Sequence, residues 1–147
     1  MLRTIVPDAI GDQDICEIDG ATTVIAAARL MAERHIGAVL IADDGGLQGI
    51  FTERDLLSRV VSQGLDPKAT PVADVMTADP ETVAPDLTVL DALALMQERG
   101  FRHLPVVAEG RTVGVLSIRD LYAAVQLQLE DDIRDRDAFM FGNGAGA

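Results

Sequence analysis

The octet GIFTERDL at residues 49–56 returns as GVLSIRDL at residues 114–121. In each copy an apolar run ends at Thr or Ser, and an Asp follows three positions later, just before an amphipathic segment. This order is typical of a strand that passes directly into a helix, with the hydroxyl at the helix N-cap. The octet therefore places polar side chains where they can meet a ligand without interrupting a core.

The similarity between the octets extends outward into a longer internal repeat. Residues 23–56 align with residues 88–121 without a gap, and 12 of the 34 aligned positions are identical. A repeat of this period indicates one supersecondary unit built twice, in which neither copy buries its apolar face alone. Apolar periodicity within each copy predicts the element order β-α-β-β-α.

These patterns predict an α/β (α+β) fold in which two copies form one pseudo-symmetric tandem module. The expected domains are residues 8–64 and 74–126, joined by a Pro-containing linker at residues 65–73. Residues 127–147 are expected to form a helical and flexible tail that ends in a frayed glycine-rich segment. Within it, the apolar residues 139–141 are expected to pack on the domain or on a partner subunit.

Composition narrows the possible partners of the chain. The net charge of −12 over 147 residues argues against binding a nucleic-acid duplex, whose phosphates need clustered cations. The single cysteine, Cys16, excludes an internal disulfide or a Cys-rich zinc motif, and its apolar surroundings predict a buried, inert thiol. No apolar run is long enough for a membrane span or a signal peptide, so a soluble, cytoplasmic protein is expected.

The two Thr/Ser–Asp pairs of the octets admit two interpretations. Thr52 with Asp55, and Ser117 with Asp120, fit ordinary helix capping, in which a hydroxyl caps the helix and an acid occupies the first turn. They also fit a nucleotide, because a carboxylate accepts hydrogen bonds from ribose hydroxyls and a neighbouring Arg holds phosphate. Both copies carry that Arg, which capping does not require. The residues alone leave these two interpretations open.

The remaining polar residues give no sign of catalysis or of a metal site. His103 lies at the head of an apolar strand, where it is either a phosphate donor or an ordinary hydrogen-bonded histidine. Neither His35 nor His103 has a second ligand at metal spacing, so no metal is expected. The chain has no nucleophile elbow, Walker loop or Gly-x-Gly-x-x-Gly motif, so we do not expect an enzyme.

Taken together, these residues resemble the tandem CBS domain, a family named after cystathionine beta-synthase. The resemblance covers about residues 8–125 and rests on the repeated element order, on DVMT at residues 74–77, on HLPVV at residues 103–107, and on Gly-apolar-apolar-Thr/Ser-x-x-Asp in both octets. It implies a free-standing regulatory module with no attached enzyme or transporter. It also implies adenosyl ligands (AMP, ADP, ATP, S-adenosylmethionine or NAD) in two clefts between the copies, with no cofactor required.

The resemblance assigns candidate residues to each cleft. One site would use Ser117 and Asp120, with Arg119 and His103 near phosphate, and Ile36, Gly37 and Ala38 near adenine. The other would use Thr52, Arg54 and Asp55, with Thr77, Thr82, Phe101 and Arg102 facing the base.

The two copies differ in ways that predict unequal occupancy. Ala38 of the first copy stands where the second has His103, and Asp12 and Glu17 stand where the second has Thr77 and Thr82. Acidic residues at those positions would discourage a polyphosphate. The family also pairs its modules into homodimers through the helices, which we expect here. The alternative function is a protein-interaction or stress-associated dimer whose clefts are vestigial.

Overall fold

The first repeat folds as a strand, a helix, a hairpin and a second helix. The structure is a computed structural model and describes residues 1–142. The elements are β1 (Glu17–Ile18), α1 (Val24–Arg34), β2 (Ala38–Asp43), β3 (Gly46–Thr52) and α2 (Glu53–Asp55), which continues as a wider helical turn at Leu56–Val61. α1 begins at Thr23, whose hydroxyl accepts a hydrogen bond from the Ala26 N–H at 3.3 Å.

The second repeat follows the same order. Its elements are a short turn at Val72–Asp74, β4 (Thr77–Ala78), α3 (Val89–Arg99), β5 (His103–Ala108), β6 (Arg111–Ser117) and α4 (Ile118–Asp137), with a last turn at Ala138–Gly142. Thr88 caps α3 as Thr23 caps α1, through a 3.2 Å bond from the Asp91 N–H. The predicted α+β fold with two repeats is confirmed.

Each repeat contributes one sheet built around its hairpin. In the first sheet β1 runs parallel to β2, which pairs antiparallel with β3, and β3 pairs antiparallel with β4. In the second sheet β5 pairs antiparallel with β6, while Val83 alone forms a parallel bridge to Val106. The first strand of each predicted β-α-β-β-α unit is therefore short: it has two residues in the first repeat, Glu17–Ile18, and is a single bridge at Val83 in the second.

The hydrophobic cores are completed by segments that lie outside the repeats they serve. Ile5 and Ile10, from the start of the chain, lie in the core of the second repeat and are 0% and 5% exposed. Val72 and Val75, from the start of the second repeat, lie in the core of the first and are 0% and 5% exposed. The two repeats thus share their cores through these lead-in segments, which explains why the module is built as a pair.

The last helix extends well past the second core. Its buried face ends at Gln128, whose side-chain oxygen accepts a 2.6 Å hydrogen bond from the Arg3 N–H. Beyond it the apolar side chains Leu129, Ile133 and Phe139 are half exposed or more. The glycine-rich segment at 143–147 lies outside the described residues. Among residues 1–142, no helix has the length and apolar character needed to span a bilayer.

Candidate functional site

The start of α2 is a closed hydrogen-bond network around Asp55. The Thr52 hydroxyl accepts a hydrogen bond from the Asp55 N–H at 3.2 Å. In return the Asp55 carboxylate accepts bonds from the Thr52 N–H at 3.0 Å and from its hydroxyl at 3.1 Å. The Arg59 guanidinium lies 3.6 Å from the second carboxylate oxygen, and Asp55 is only 9% exposed. Capping therefore accounts for this pair in full.

The equivalent pair at the start of α4, Ser117 and Asp120, forms only one of these hydrogen bonds. The Ser117 hydroxyl accepts a hydrogen bond from the Asp120 N–H at 3.1 Å, so Ser117 caps the helix as Thr52 does. Within residues 1–142, however, the half-buried Asp120 carboxylate has no hydrogen bond or ion pair. Ala124 stands where the first repeat has Arg59, which removes the cation that holds Asp55. The Asp120 carboxylate is thus available to accept hydrogen bonds from a ligand.

Two clefts open beside these helix starts, between the repeats. The first cleft, at the start of α2, has a volume of about 670 Å³, and the second cleft, at the start of α4, about 770 Å³. The candidate residues that line the first cleft are Thr52, Arg54, Asp55, Thr77, Phe101 and Arg102. Those that line the second are Ile36, Gly37, Ala38, Arg102, His103, Ser117, Arg119 and Asp120. Thr82 lines neither, and its neighbour Glu81 faces the first cleft instead.

Three charged or polar side chains line both clefts and so lie between them. They are Glu53, Arg102 and His103. At this junction a Cβ built on Gly37 would lie 2.9 Å from the Glu53 Oε1 and 3.1 Å from the His103 Nε2. A Cβ at these distances would make both side chains shift, which is easy for the Glu53 carboxylate because it ends a flexible, exposed side chain. The sequence pointed to Arg102 and His103 but gave no signal for Glu53, since the second repeat has Ile118 at the equivalent position.

The surroundings of His103 favour its neutral form. Burial lowers the pKa of its imidazole below the ordinary value, and the nearby Arg102 lowers the pKa further, while Glu53 and Asp120 raise it. The net pKa is lowered, so His103 is mainly a neutral hydrogen-bonding group near pH 7. Permanent positive charge at the junction therefore comes from Arg102.

Gln13 and Cys16 also line the second cleft, although the sequence did not assign either to a site. The Gln13 side chain accepts a 2.9 Å hydrogen bond from the Val115 N–H and donates one of 3.2 Å to the Val115 carbonyl, as a neighbouring strand would. Cys16 lies beside it, 8% exposed, and burial raises the pKa of its thiol. The prediction of a buried cysteine is confirmed, and the thiol also contributes to the cleft wall.

The acidic residues expected to oppose a polyphosphate in this cleft do not lie in it. Neither Asp12 nor Glu17 is among its lining residues. Asp14 does reach the rim, where its carboxylate lies 3.7 Å from an Arg34 guanidinium nitrogen. Among residues 1–142, no three His, Cys, Asp or Glu side chains are grouped so as to hold a metal ion.

Relatives and solved structures share this architecture. The sequence model of the CBS domain matches residues 12–62 and 72–127. The mitochondrial CBS domain-containing protein CBSX3 of Arabidopsis thaliana is 34% identical over 125 residues, which is 82% of this chain and 61% of that protein. The chain spans less than two thirds of such curated relatives, and only 20% of another from the same plant.

Two solved structures superpose closely. A protein with CBS domains from Burkholderia ambifaria is 38% identical, with a TM-score of 0.78 over 83% of this chain and 93% of that one. A CBS domain protein from Pyrobaculum aerophilum, solved in complex with AMP, is 29% identical, with a TM-score of 0.67 over 74% of this chain and 83% of that one. Since the family match covers both repeats, the chain belongs to the CBS domain family.

Proposed function

We propose that this protein is a non-catalytic regulatory module that binds an adenine nucleotide or a related adenosyl ligand in the second cleft. The observation that carries the proposal is the unpartnered Asp120 carboxylate beside Ser117 at the start of the 20-residue helix α4. Tandem CBS proteins are generally regulatory, and a relative of similar structure was solved with AMP. AMP, ADP, ATP, S-adenosylmethionine and NAD are the candidate ligands.

Each residue of the second cleft has a role in this proposal. Asp120 accepts hydrogen bonds from the ribose hydroxyls, and Ser117 contributes its hydroxyl beside them. Arg119 and Arg102 hold phosphate, with His103 as a neutral donor. The adenine lies against the residues at the start of β2, which are Ile36, Gly37 and Ala38.

The first cleft is proposed as the weaker site. Its candidate residues are Thr52, Arg54, Asp55, Thr77, Thr82, Phe101 and Arg102. The Asp55 carboxylate is already occupied by the Thr52 cap and by Arg59, and the Arg54 guanidinium donates to the Gly100 carbonyl at 3.2 Å. A ligand in this cleft must therefore displace existing hydrogen bonds, which reduces its net binding free energy. A cytoplasmic location is part of the proposal and fits a chain whose one cysteine, Cys16, is buried and can form no internal disulfide.

Thermal unfolding of the purified protein with each candidate ligand tests the proposal. A ligand that binds only the folded state, at a hundredfold excess over its dissociation constant, raises the free energy of unfolding by about 2.7 kcal/mol. We expect this shift from at least one adenosyl ligand and none from the matched guanine or uridine compound. If none of the five candidates shifts the midpoint, regulation by an adenosyl ligand is wrong.

The exposed side of α4 favours a second function, association with another copy of the chain. Tyr122, Leu129 and Ile133 of α4 and Met140 of the turn that follows it are spaced by seven, four and seven residues, so they form one stripe along this end of the chain. Each is more than half exposed, at 55%, 51%, 59% and 62%. A stripe of this kind is typical of a helix–helix interface. We propose a homodimer that uses this face.

Sedimentation velocity distinguishes the dimer from a monomer. The wild type is expected to sediment as a dimer at micromolar concentration. Ile133→Glu is expected to shift it to the monomer, because a carboxylate at the centre of the stripe must be desolvated in the interface. Ala123→Glu, at an exposed position off the stripe, is the matched control and should stay dimeric. A monomeric wild type would contradict the dimer, and dimeric Ile133→Glu would place the interface elsewhere.

A further inference from the structure

Glu53 is the one carboxylate that lines both clefts. It begins α2, where its N–H donates a 3.0 Å hydrogen bond to the Gly37 carbonyl and so fixes its position at the junction. Its Oε1 and the His103 Nε2 lie within about 3 Å of one point, the position that a Cβ on Gly37 would take. Among residues 1–142 the Glu53 side chain has no hydrogen bond or ion pair, so its negative charge has no fixed partner.

This carboxylate lies where the second cleft meets the first, beside His103. In the proposed function Asp120 fixes the ribose at the start of α4, and the base lies against Ile36, Gly37 and Ala38. Arg102 and His103, which hold phosphate in that proposal, line both clefts together with Glu53. A phosphate chain attached to the ribose and directed toward Arg102 and His103 therefore approaches Glu53.

Each added phosphate makes this approach less favourable. The guanidinium groups that line the second cleft are those of Arg102 and Arg119, and its two histidines are His35 and His103, of which His103 is mainly neutral near pH 7. One phosphate can be matched by these two guanidinium groups. A second and a third phosphate add negative charge beside an unpaired carboxylate, in a cleft from which the ligand displaces water, and this strengthens the repulsion.

We propose that Glu53 is a specificity-determining residue that restricts the second cleft to adenosyl ligands with at most one phosphate. The inference rests on the proposed function and names its ligand class: AMP, or an adenosyl compound without phosphate, in preference to ADP and ATP. The second repeat has Ile118 at the equivalent position, so this restriction comes from a residue of the first repeat acting on the ribose site of the second.

Titration calorimetry of AMP and ATP without magnesium tests the restriction. Wild type is expected to bind AMP at least tenfold more tightly than ATP. Glu53→Gln keeps the size of the side chain and removes the charge, so ATP affinity should rise on the order of tenfold while AMP affinity changes less than threefold. Asp44→Asn, in the exposed hairpin turn, removes the same charge far from the cleft and should leave the ratio of affinities unchanged.

The double variant Glu53→Gln with Asp120→Ala assigns the effect to the second cleft, because the gain in ATP affinity must disappear with the ribose contact. An unchanged AMP-to-ATP ratio in Glu53→Gln would overturn this inference and leave the proposed function standing, as would a wild type that prefers ATP. If neither nucleotide nor adenosine binds the wild type or Glu53→Gln, the inference is wrong, and the proposed function is wrong as well if ADP, S-adenosylmethionine and NAD also fail to bind. Glu53 is exposed, so the variant should fold with the wild-type unfolding midpoint.

Discussion

Asp120→Ala is expected to weaken binding of the adenosyl ligand by about 100-fold or more. In the proposed site this carboxylate accepts hydrogen bonds from two ribose hydroxyls, and hydrogen bonds to a charged group contribute about 1.5–3 kcal/mol each. Because the Asp120 carboxylate has no partner within residues 1–142, its removal leaves no buried polar group behind. Calorimetry with the ligand that gives the largest thermal shift measures the loss directly.

Asp55→Ala is the matched comparison, since it removes the equivalent carboxylate of the first repeat. That side chain accepts two hydrogen bonds from Thr52, so its loss should lower the free energy of unfolding by about 1 kcal/mol. Ligand affinity in the second cleft should be close to wild type. Equal loss of affinity in the two variants would mean that both clefts bind, and full affinity in Asp120→Ala would remove the basis of the proposed site.

The contrast between these two aspartates shows what the sequence could predict and what it could not. The identical spacing in the two octets correctly predicted that each carboxylate lies at a helix start. It could not tell which carboxylate closes a capping box, because that depends on side-chain conformation. One signal was present: Arg59 follows Asp55 by four residues, whereas Ala124 follows Asp120. Residues four apart meet on a helix, so this difference already indicated that the Asp55 carboxylate has a cation as a partner and that the Asp120 carboxylate does not.

The place of Glu53 in both clefts could not be predicted from the sequence, for a different reason. A residue that appears in one repeat only carries no signal from internal comparison, and an acidic side chain in the first turn of a helix has an ordinary explanation in the helix dipole. Its position between the clefts follows from the packing of the two repeats against each other. The same packing moves Asp12 and Glu17 away from the cleft, although their places in the repeat pointed to it.

The sequence pattern also could not predict that the segment before each repeat completes the core of the other repeat. Residues 1–13 carry no helical or strand periodicity, so their pattern does not assign Ile5 to a core. In the structure the Ile5 N–H donates to the Leu87 carbonyl at 2.9 Å, and the Val89 N–H donates to the Arg3 carbonyl at 3.0 Å. These bonds place the start of the chain directly before α3, more than 80 residues away along the sequence.

Ile5→Ala is therefore expected to destabilise the second repeat, by about 3 kcal/mol in the free energy of unfolding. The side chain is fully buried among residues of that repeat, and its truncation leaves a cavity as well as losing buried apolar surface. Urea unfolding measures the loss, with Leu2→Ala as the control because Leu2 is 65% exposed on the same segment. Hydrogen exchange should show the larger loss of protection in α3 rather than in α1.

Protection lost first in α1, or a loss of stability no larger than that of Leu2→Ala, would contradict the packing of the N-terminal segment in the core of the second repeat.

This packing couples ligand binding in the second cleft to the attachment of the N-terminal segment. Because the first residues of the chain complete the core of the second repeat, a ligand that binds only when this segment is attached also stabilises its attachment, by RT ln(1 + [L]/Kd) at ligand concentration [L]. Conversely, Ile5→Ala should weaken ligand binding only to the extent that it populates the unfolded second repeat, and not through any contact with the ligand.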